Sequence, residues 1–406
     1  MNIRNIKDIG SVFFISNLGN FFSFIFIIMM GRLLLPEDFS LISSLLGLAA
    51  TLAFVYAYLP SILAKYLSKY SNYNISKFYF FNMKKFFRFI FFLSIIIFFS
   101  QNLFFEILNF NSGYLFVLII LIFFFNSFIN FNDGIILGRQ KYLYHSQTVF
   151  IQNFSKTVFL AIFFYLFNNK ESVLYSVILS VLVVLLYQQI KLNKLFRNEK
   201  KNLSINFSFI SKDLIAIIMI NFISVFMLNI EVIISRIFLA PDISGMYNAI
   251  CSLGKISFFL MNSLLPIVIP KTVFLQSKNI HNKQFILYLI FIAIFISLVL
   301  FGFYFFSRDF VIGTVYSQMH VMHSDLILIM NFSYTFLACS SVLLYYNFAS
   351  IGKKNIFYFF VPLFFLFSVF LIEITAVSLA LVFMITNALL FITLIYLILL
   401  RQTSKN

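Results

Sequence analysis

Long uninterrupted apolar runs recur along the whole of this 406-residue chain, and they limit its fold more than any other feature. The stretch from Gln284 to Phe306 contains no charged residue, and several others approach that length. As helices, such runs reach across the roughly 30 Å of a bilayer's hydrocarbon core. Backbone polar groups cannot stay unpaired in hydrocarbon, and these runs are continuous rather than alternating, which predicts helices and not barrel strands. Composition agrees: 62% of residues are hydrophobic and 10% charged, with a mean hydropathy of +1.00, more apolar surface than a soluble core would hide. The expected fold class is therefore all-α and polytopic. The N-terminus has a charged start, but its apolar stretch continues to Met30 without a small-residue cleavage pattern, which predicts a first span rather than a removed signal.

Charged or Gly/Pro-containing loops divide the runs into twelve expected spans, six in each half. They lie near 11–31, 40–64, 86–108, 114–137, 146–168, 172–190, 213–239, 246–270, 284–306, 326–350, 356–374 and 379–400. With a cytoplasmic N-terminus, all but six of the 29 Lys and Arg fall on the cytoplasmic side. Arg32, Lys170, Arg236 and Arg308 lie opposite, and Lys156 and Lys255 lie within spans. That bias sets the orientation and puts both termini in the cytoplasm. The net charge of +16 thus marks a membrane face and gives no reason to expect nucleic acid. Residues 191–212, with Lys191, Lys194, Arg197, Lys200, Lys201 and Lys212, read as a basic cytoplasmic linker between an N-lobe (1–190) and a C-lobe (213–406). The same residues are placed to touch anionic membrane lipids.

The halves repeat. An offset of 204 superposes Asn17, Asn20, Arg32 and Asp38 on Asn221, Ser224, Arg236 and Asp242. After two inserted residues, Leu59, Pro60 and Lys65 meet Leu265, Pro266 and Lys271. The fourth and tenth spans also end alike, at Gly138–Lys141 and Gly352–Asn355. Six spans per half give both halves one orientation, the parallel arrangement related by a pseudo-two-fold axis along the membrane normal. Proteins so built usually move a solute by alternating access, which predicts a site shared by the two lobes.

At 100° per residue, Ser16, Asn17, Asn20 and Ser23 share a face of span 1, and Asn221, Ser224, Glu231 and Ser235 a face of span 7. Span 4 aligns Asn126, Asn130 and Asp133, and span 5 aligns Gln152, Asn153 and Lys156. Interhelical hydrogen bonding is one reading of these stripes. A wet cavity is the other, with Lys156, Lys255, Asn17, Asn20, Asn153, Asn221 and Ser224 binding solute. A charge near mid-bilayer costs about 2.5–3.5 kcal/mol, so Lys156 and Lys255 need water or a partner. Ion pairs of Lys156 with Asp133, or Lys255 with Glu231, compete with anion binding. Asp133 and Glu231 are also candidates to carry a coupling proton or sodium ion; no other cofactor is expected.

Arg32 with Asp38, and Arg236 with Asp242, occupy equivalent outer turns where local pairing would fix a hairpin. Pro60, Pro266 and Pro270 break spans 2 and 8. His320, His323 and Asp325 lie in the loop after span 9; they read as solvated, with no further ligand nearby in sequence. Cys251 and Cys339 read as isolated apolar thiols.

Gly31 to Leu48, GRLLLPEDFSLISSLLGL, resembles the hairpin between spans 1 and 2 of oligosaccharide flippases in the multidrug/oligosaccharidyl-lipid/polysaccharide exporter superfamily. Glu231 to Leu253, with its acidic residue in span 7 and Gly245-x-Tyr247, is similar to their hairpin between spans 7 and 8. The Gly138-Arg139-x-Lys141 turn fits as well. The resemblance implies a MATE-like fold and translocation of a polyprenyl-diphosphate-linked oligosaccharide, such as an O-antigen repeat unit, across a bacterial cytoplasmic (inner) membrane. Other polysaccharide-assembly proteins would be its partners. One departure is the span count, since members of the superfamily often have fourteen.

A drug or organic-cation antiporter of the same superfamily is the nearest alternative; it would want an anionic or aromatic site, for which Asp133 and Glu231 are available. A membrane enzyme such as a polysaccharide polymerase would usually bring a large outer loop, whereas the longest expected here is 307–325. Nucleotide-sugar, acyl-transfer, zinc-hydrolase and P-loop motifs do not occur, so a non-enzyme is expected.

Overall fold

In a computed structural model the described residues are 3–69, 75–110, 112–197, 212–262, 265, 268, 272, 283–316, 324–351 and 360–403. Lys271, Pro266, Pro270, His320, His323, the 352–355 turn and most of the 191–212 linker lie outside them. Among the described residues all regular structure is helical, with no strand. The first half contains α1 (Ile3–Leu33), α2 (Pro36–Leu52), α3 (Phe54–Ala57), α4 (Leu59–Lys69), α5 (Ile75–Phe99), α6 (Gln101–Leu108), α7 (Gly113–Gly138), α8 (Tyr142–Phe167) and α9 (Glu171–Arg197). The second contains α10 (Lys212–Phe238), α11 (Pro241–Gly254), α12 (Ile256–Asn262), α13 (Lys283–Val315), α14 (Leu326–Ile351), α15 (Phe360–Leu371) and α16 (Ala376–Thr403).

Among the described residues, each expected span falls on a helix or a broken set of helices. Eight helices are individually long and apolar enough to cross a membrane, or ten if two bent pairs count as single spans. Span 2 bends by 42° between α2 and α3, and span 3 by 55° between α5 and α6. Span 8 breaks at Lys255, between α11 and α12, and span 11 appears as the 12-residue α15. Span 9 overruns its expected end: the supposed 307–325 loop is helical to Val315, because Val311 and Ile312 continue its apolar face into the protein. Sharp stops follow Leu108 and Phe167, where Asn109 and Asn168 take left-handed conformations at φ 50° and 47°. At the start of α16, Thr375 and Ser378 exchange hydrogen bonds between each other's backbone N–H and hydroxyl, satisfying donors that a helix leaves open. Large apolar side chains such as Phe91, Phe99, Phe291 and Phe306 remain exposed, as lipid-facing residues should.

The chain clusters into two compact units. One comprises Met1–Met30 and Leu48–Leu214, the other Gly31–Gly47 and Ile215–Asn406. Within the first unit, α7 packs against α4 and α9, and α8 runs along α9. Gly134 and Gly138 make the α4 contact possible, since a Cβ at either would come within 2.6 Å of Leu63 or Leu67. Within the second unit, α14 is flanked by α11, α12, α13 and α16. Asn331 Nδ2 on α14 donates to the Ser297 carbonyl at 3.0 Å, and Asn387 Nδ2 on α16 donates to Ser333 Oγ of α14 at 3.1 Å.

The hairpin segment Gly31–Gly47 belongs to the second unit although its sequence belongs to the first repeat. Ser40 Oγ donates to Ser244 Oγ at 2.8 Å, and these residues are 204 apart, the repeat offset itself. Around this pair, Asn248 Nδ2 donates to Ser43 Oγ at 3.2 Å, and Ser235 Oγ to Asn248 Oδ1 at 2.9 Å. Gly245 packs so tightly on Pro36 that a Cβ would meet its carbonyl oxygen at 2.0 Å. The outer arginines reach beyond their own turns: Arg236 feels the carboxylates of Glu37 and Asp38, and Arg32 Nε donates to the Val315 carbonyl at 2.8 Å.

Candidate solute-binding residues

In the first unit the sequence brings a cation to a close seam between α1 and α8. Gly19 is pressed against the Phe150 backbone, with a Cβ there only 3.0 Å from Phe150 Cα. That approach lets Thr157 Oγ1 donate to the Phe22 carbonyl at 2.9 Å. One residue earlier, Lys156 Nζ donates to Ser23 Oγ at 3.0 Å and sits 4.8 Å over the Phe26 ring. Asn20 and Asn17 precede Ser23 by about one and two turns on α1, and Asn153 precedes Lys156 by one turn on α8. Gln152 Nε2 donates to Asn126 Oδ1 on α7 at 3.4 Å, adding an amide pair beside the same stretch. A hydroxyl and an aromatic face partly replace water around an ammonium but do not cancel its charge.

Asp133 is not the partner of Lys156. Its Oδ2 stands 3.3 Å from His145 Nδ1, and its Oδ1 accepts from Gln188 Nε2 at 2.9 Å. Gln188 in turn accepts from Asn132 Nδ2 at 3.1 Å, and Asn132 accepts from Tyr79 OH at 3.1 Å. This chain ties α5, α7, α8 and α9 together. Sequence reasoning passed over His145, Gln188, Asn132 and Tyr79; the available signal was a glutamine inside the apolar run of span 6.

In the second unit Lys255 does meet Glu231, at 2.9 Å between Nζ and Oε1. Tyr334 OH donates to the same oxygen, and the Lys255 ammonium lies 5.4 Å over the Tyr334 ring. Asn221 Oδ1 accepts from Tyr345 OH at 3.2 Å, and Ser224 Oγ is buried without a hydrogen-bond partner among the described residues. Asp325 pairs with Arg308. Among the described residues no three His, Cys, Asp or Glu converge as a metal site, and Cys251 and Cys339 are buried free thiols.

No family model matches the sequence, and no curated protein resembles it. Solved structures do. A crystal structure of MATE in complex with MaL6 superposes with a TM-score of 0.64 at 14% identity, covering 97% of this chain and 94% of that one. The fold is MATE-like. The same holds for a MOP superfamily transporter from Pyrococcus furiosus Vc1 (DSM3638), described as having a binding pocket of reverse polarity that suggests a different function: TM-score 0.64, 14% identity, 98% and 95% covered. An outward-facing multidrug resistance MATE family transporter of the MOP superfamily gives 0.61 at 14% identity, again over 98% and 95%. MATE-like proteins have twelve helices in two lobes, the plan expected from the twelve apolar runs, and the chain is an all-α polytopic membrane protein of that class. The Pyrococcus furiosus protein and the outward-facing MATE family protein are both described as transporters.

Proposed function

We propose that this chain is a membrane transporter that translocates an anionic, hydroxyl-rich amphiphile, a polyprenyl-diphosphate-linked oligosaccharide, across a bacterial cytoplasmic membrane by alternating access. One observation carries the choice of solute. Asp133 and Glu231, the two carboxylates expected to serve a coupling ion, are both engaged, Asp133 by His145 and Gln188 and Glu231 by Lys255 and Tyr334. Among the described residues Lys156 has no carboxylate within ion-pair distance. Lys156 is therefore a span lysine without a carboxylate partner among the described residues and suits a diphosphate, while Asn153, Gln152, Asn17 and Asn20 offer amides to sugar hydroxyls.

Multidrug or organic-cation antiport is the second reading, favoured by the multidrug resistance transporter that shares the fold. It needs a carboxylate free for a cationic drug. The two readings separate in one experiment: complementation of a flippase-null strain, scored by surface polysaccharide, beside efflux of a cationic dye. The flippase reading expects wild type to restore polysaccharide and Lys156→Met to reduce it at least tenfold, about 1.4 kcal/mol, at equal membrane abundance. Dye efflux that survives Lys156→Met and fails in Glu231→Gln, without any polysaccharide, would replace it with the antiporter.

A further inference from the structure

The Glu231–Lys255 pair has a construction of its own. Glu231 is wholly buried in α10, and Lys255 is 11% exposed at the break between α11 and α12. The break is held in place from several sides. Gly254 is pressed onto α14, where a Cβ would stand 2.6 Å from Met330 Cβ. Tyr304 OH donates to the Leu253 carbonyl at 3.2 Å, and Ser257 Oγ to the Gly254 carbonyl at 3.1 Å, so carbonyls at the interruption are satisfied. The helix therefore breaks where its lysine meets a carboxylate oxygen and an aromatic face together, a setting that suits a cation. The second carboxylate oxygen, Oε2, is buried with no hydrogen-bond partner among the described residues.

We propose that Lys255 is a tethered counter-ion: its ammonium fills a site for a small monovalent cation built from Glu231 and Tyr334, and removing the lysine side chain opens that site to dissolved cations. The intact protein then needs no free cation to neutralise Glu231, because the chain supplies one at 2.9 Å. Without it, a carboxylate of 0% exposure is left among Tyr334, Tyr247 and Cys251, all of which sense its charge. An uncompensated buried charge recruits a proton or a counter-ion. Methylammonium reproduces the head of the lost lysine, and sodium tests the bare charge.

The test uses the purified full-length chain and thermal unfolding in sodium, methylammonium or bulky N-methylglucamine chloride at equal ionic strength. Wild type should have the same midpoint in all three. Lys255→Ala should gain a concentration-dependent rise in methylammonium or sodium over N-methylglucamine, and adding Glu231→Gln should abolish that rise. A wild-type midpoint that rises in the same way, or a Lys255→Ala protein indifferent to every small cation, overturns the proposal. If Lys255→Ala does not accumulate, Lys255→Met with Glu231→Gln decides: removing both charges should restore membrane abundance that Lys255→Met alone lacks, and failure to restore it overturns the proposal. None of these readouts involves cargo, so a failed complementation beside an intact cation response sinks only the flippase reading.

Discussion

Two lysines inside membrane-spanning helices face one cost, about 2.5–3.5 kcal/mol near mid-bilayer, and meet it differently. Lys255 takes a carboxylate, whereas Lys156 takes a hydroxyl and a ring. Sequence offered each an acidic partner in a neighbouring span, and nothing in residue type or spacing distinguished the two outcomes. Side-chain reach across a helix pair did: α1 presses on α8 at Gly19 and delivers Ser23, while Asp133 is turned toward α9. Glycines set such distances. Gly254→Ala should destabilise by about 1–3 kcal/mol, the usual cost of overpacking, because Met330 would have to move. Thermal unfolding with membrane abundance as control measures it, and an unchanged midpoint would mean that α11 does not press on α14 as described.

At the scale of elements, apolar length was legible and continuity was not. The bends after Leu52 and Phe99 fall inside apolar runs whose composition barely changes, so hydropathy reads straight through them. The α4–α7 pair shows what replaces hydrophobic drive in lipid: two glycines one turn apart let backbones approach, and dispersion between close surfaces holds them. Gly134→Ala should weaken the pair by about 1–3 kcal/mol, and Leu63→Ala in the same chain should recover part of that loss by clearing the space. Additive losses in unfolding measurements would show that the two residues do not meet. Gln188 illustrates the opposite kind of contact, a single amide that serves both Asn132 and Asp133.

For the molecule as a whole, the repeat offset read from polar matches reappears as a hydrogen bond between Ser40 and Ser244. Ser40→Cys with Ser244→Cys should therefore crosslink on mild oxidation, because hydroxyl oxygens 2.8 Å apart put the Cβ atoms near disulfide separation. A gel-mobility shift reversed by reductant measures it; no crosslink at this pair, beside efficient crosslinking of other cysteine pairs in the same unit, would mean that Ser40 and Ser244 do not meet.

Sequence alone determined that the chain spans a membrane as helices and how many apolar runs it has. These follow from local chemistry, since a backbone in hydrocarbon must satisfy itself within each segment. Tertiary structure alone decided which carboxylate Lys255 meets, what accompanies Lys156, and that residues 31–47 join the second unit. Those choices depend on how closely helices far apart in sequence approach one another, and that distance is set by the shapes of both surfaces together.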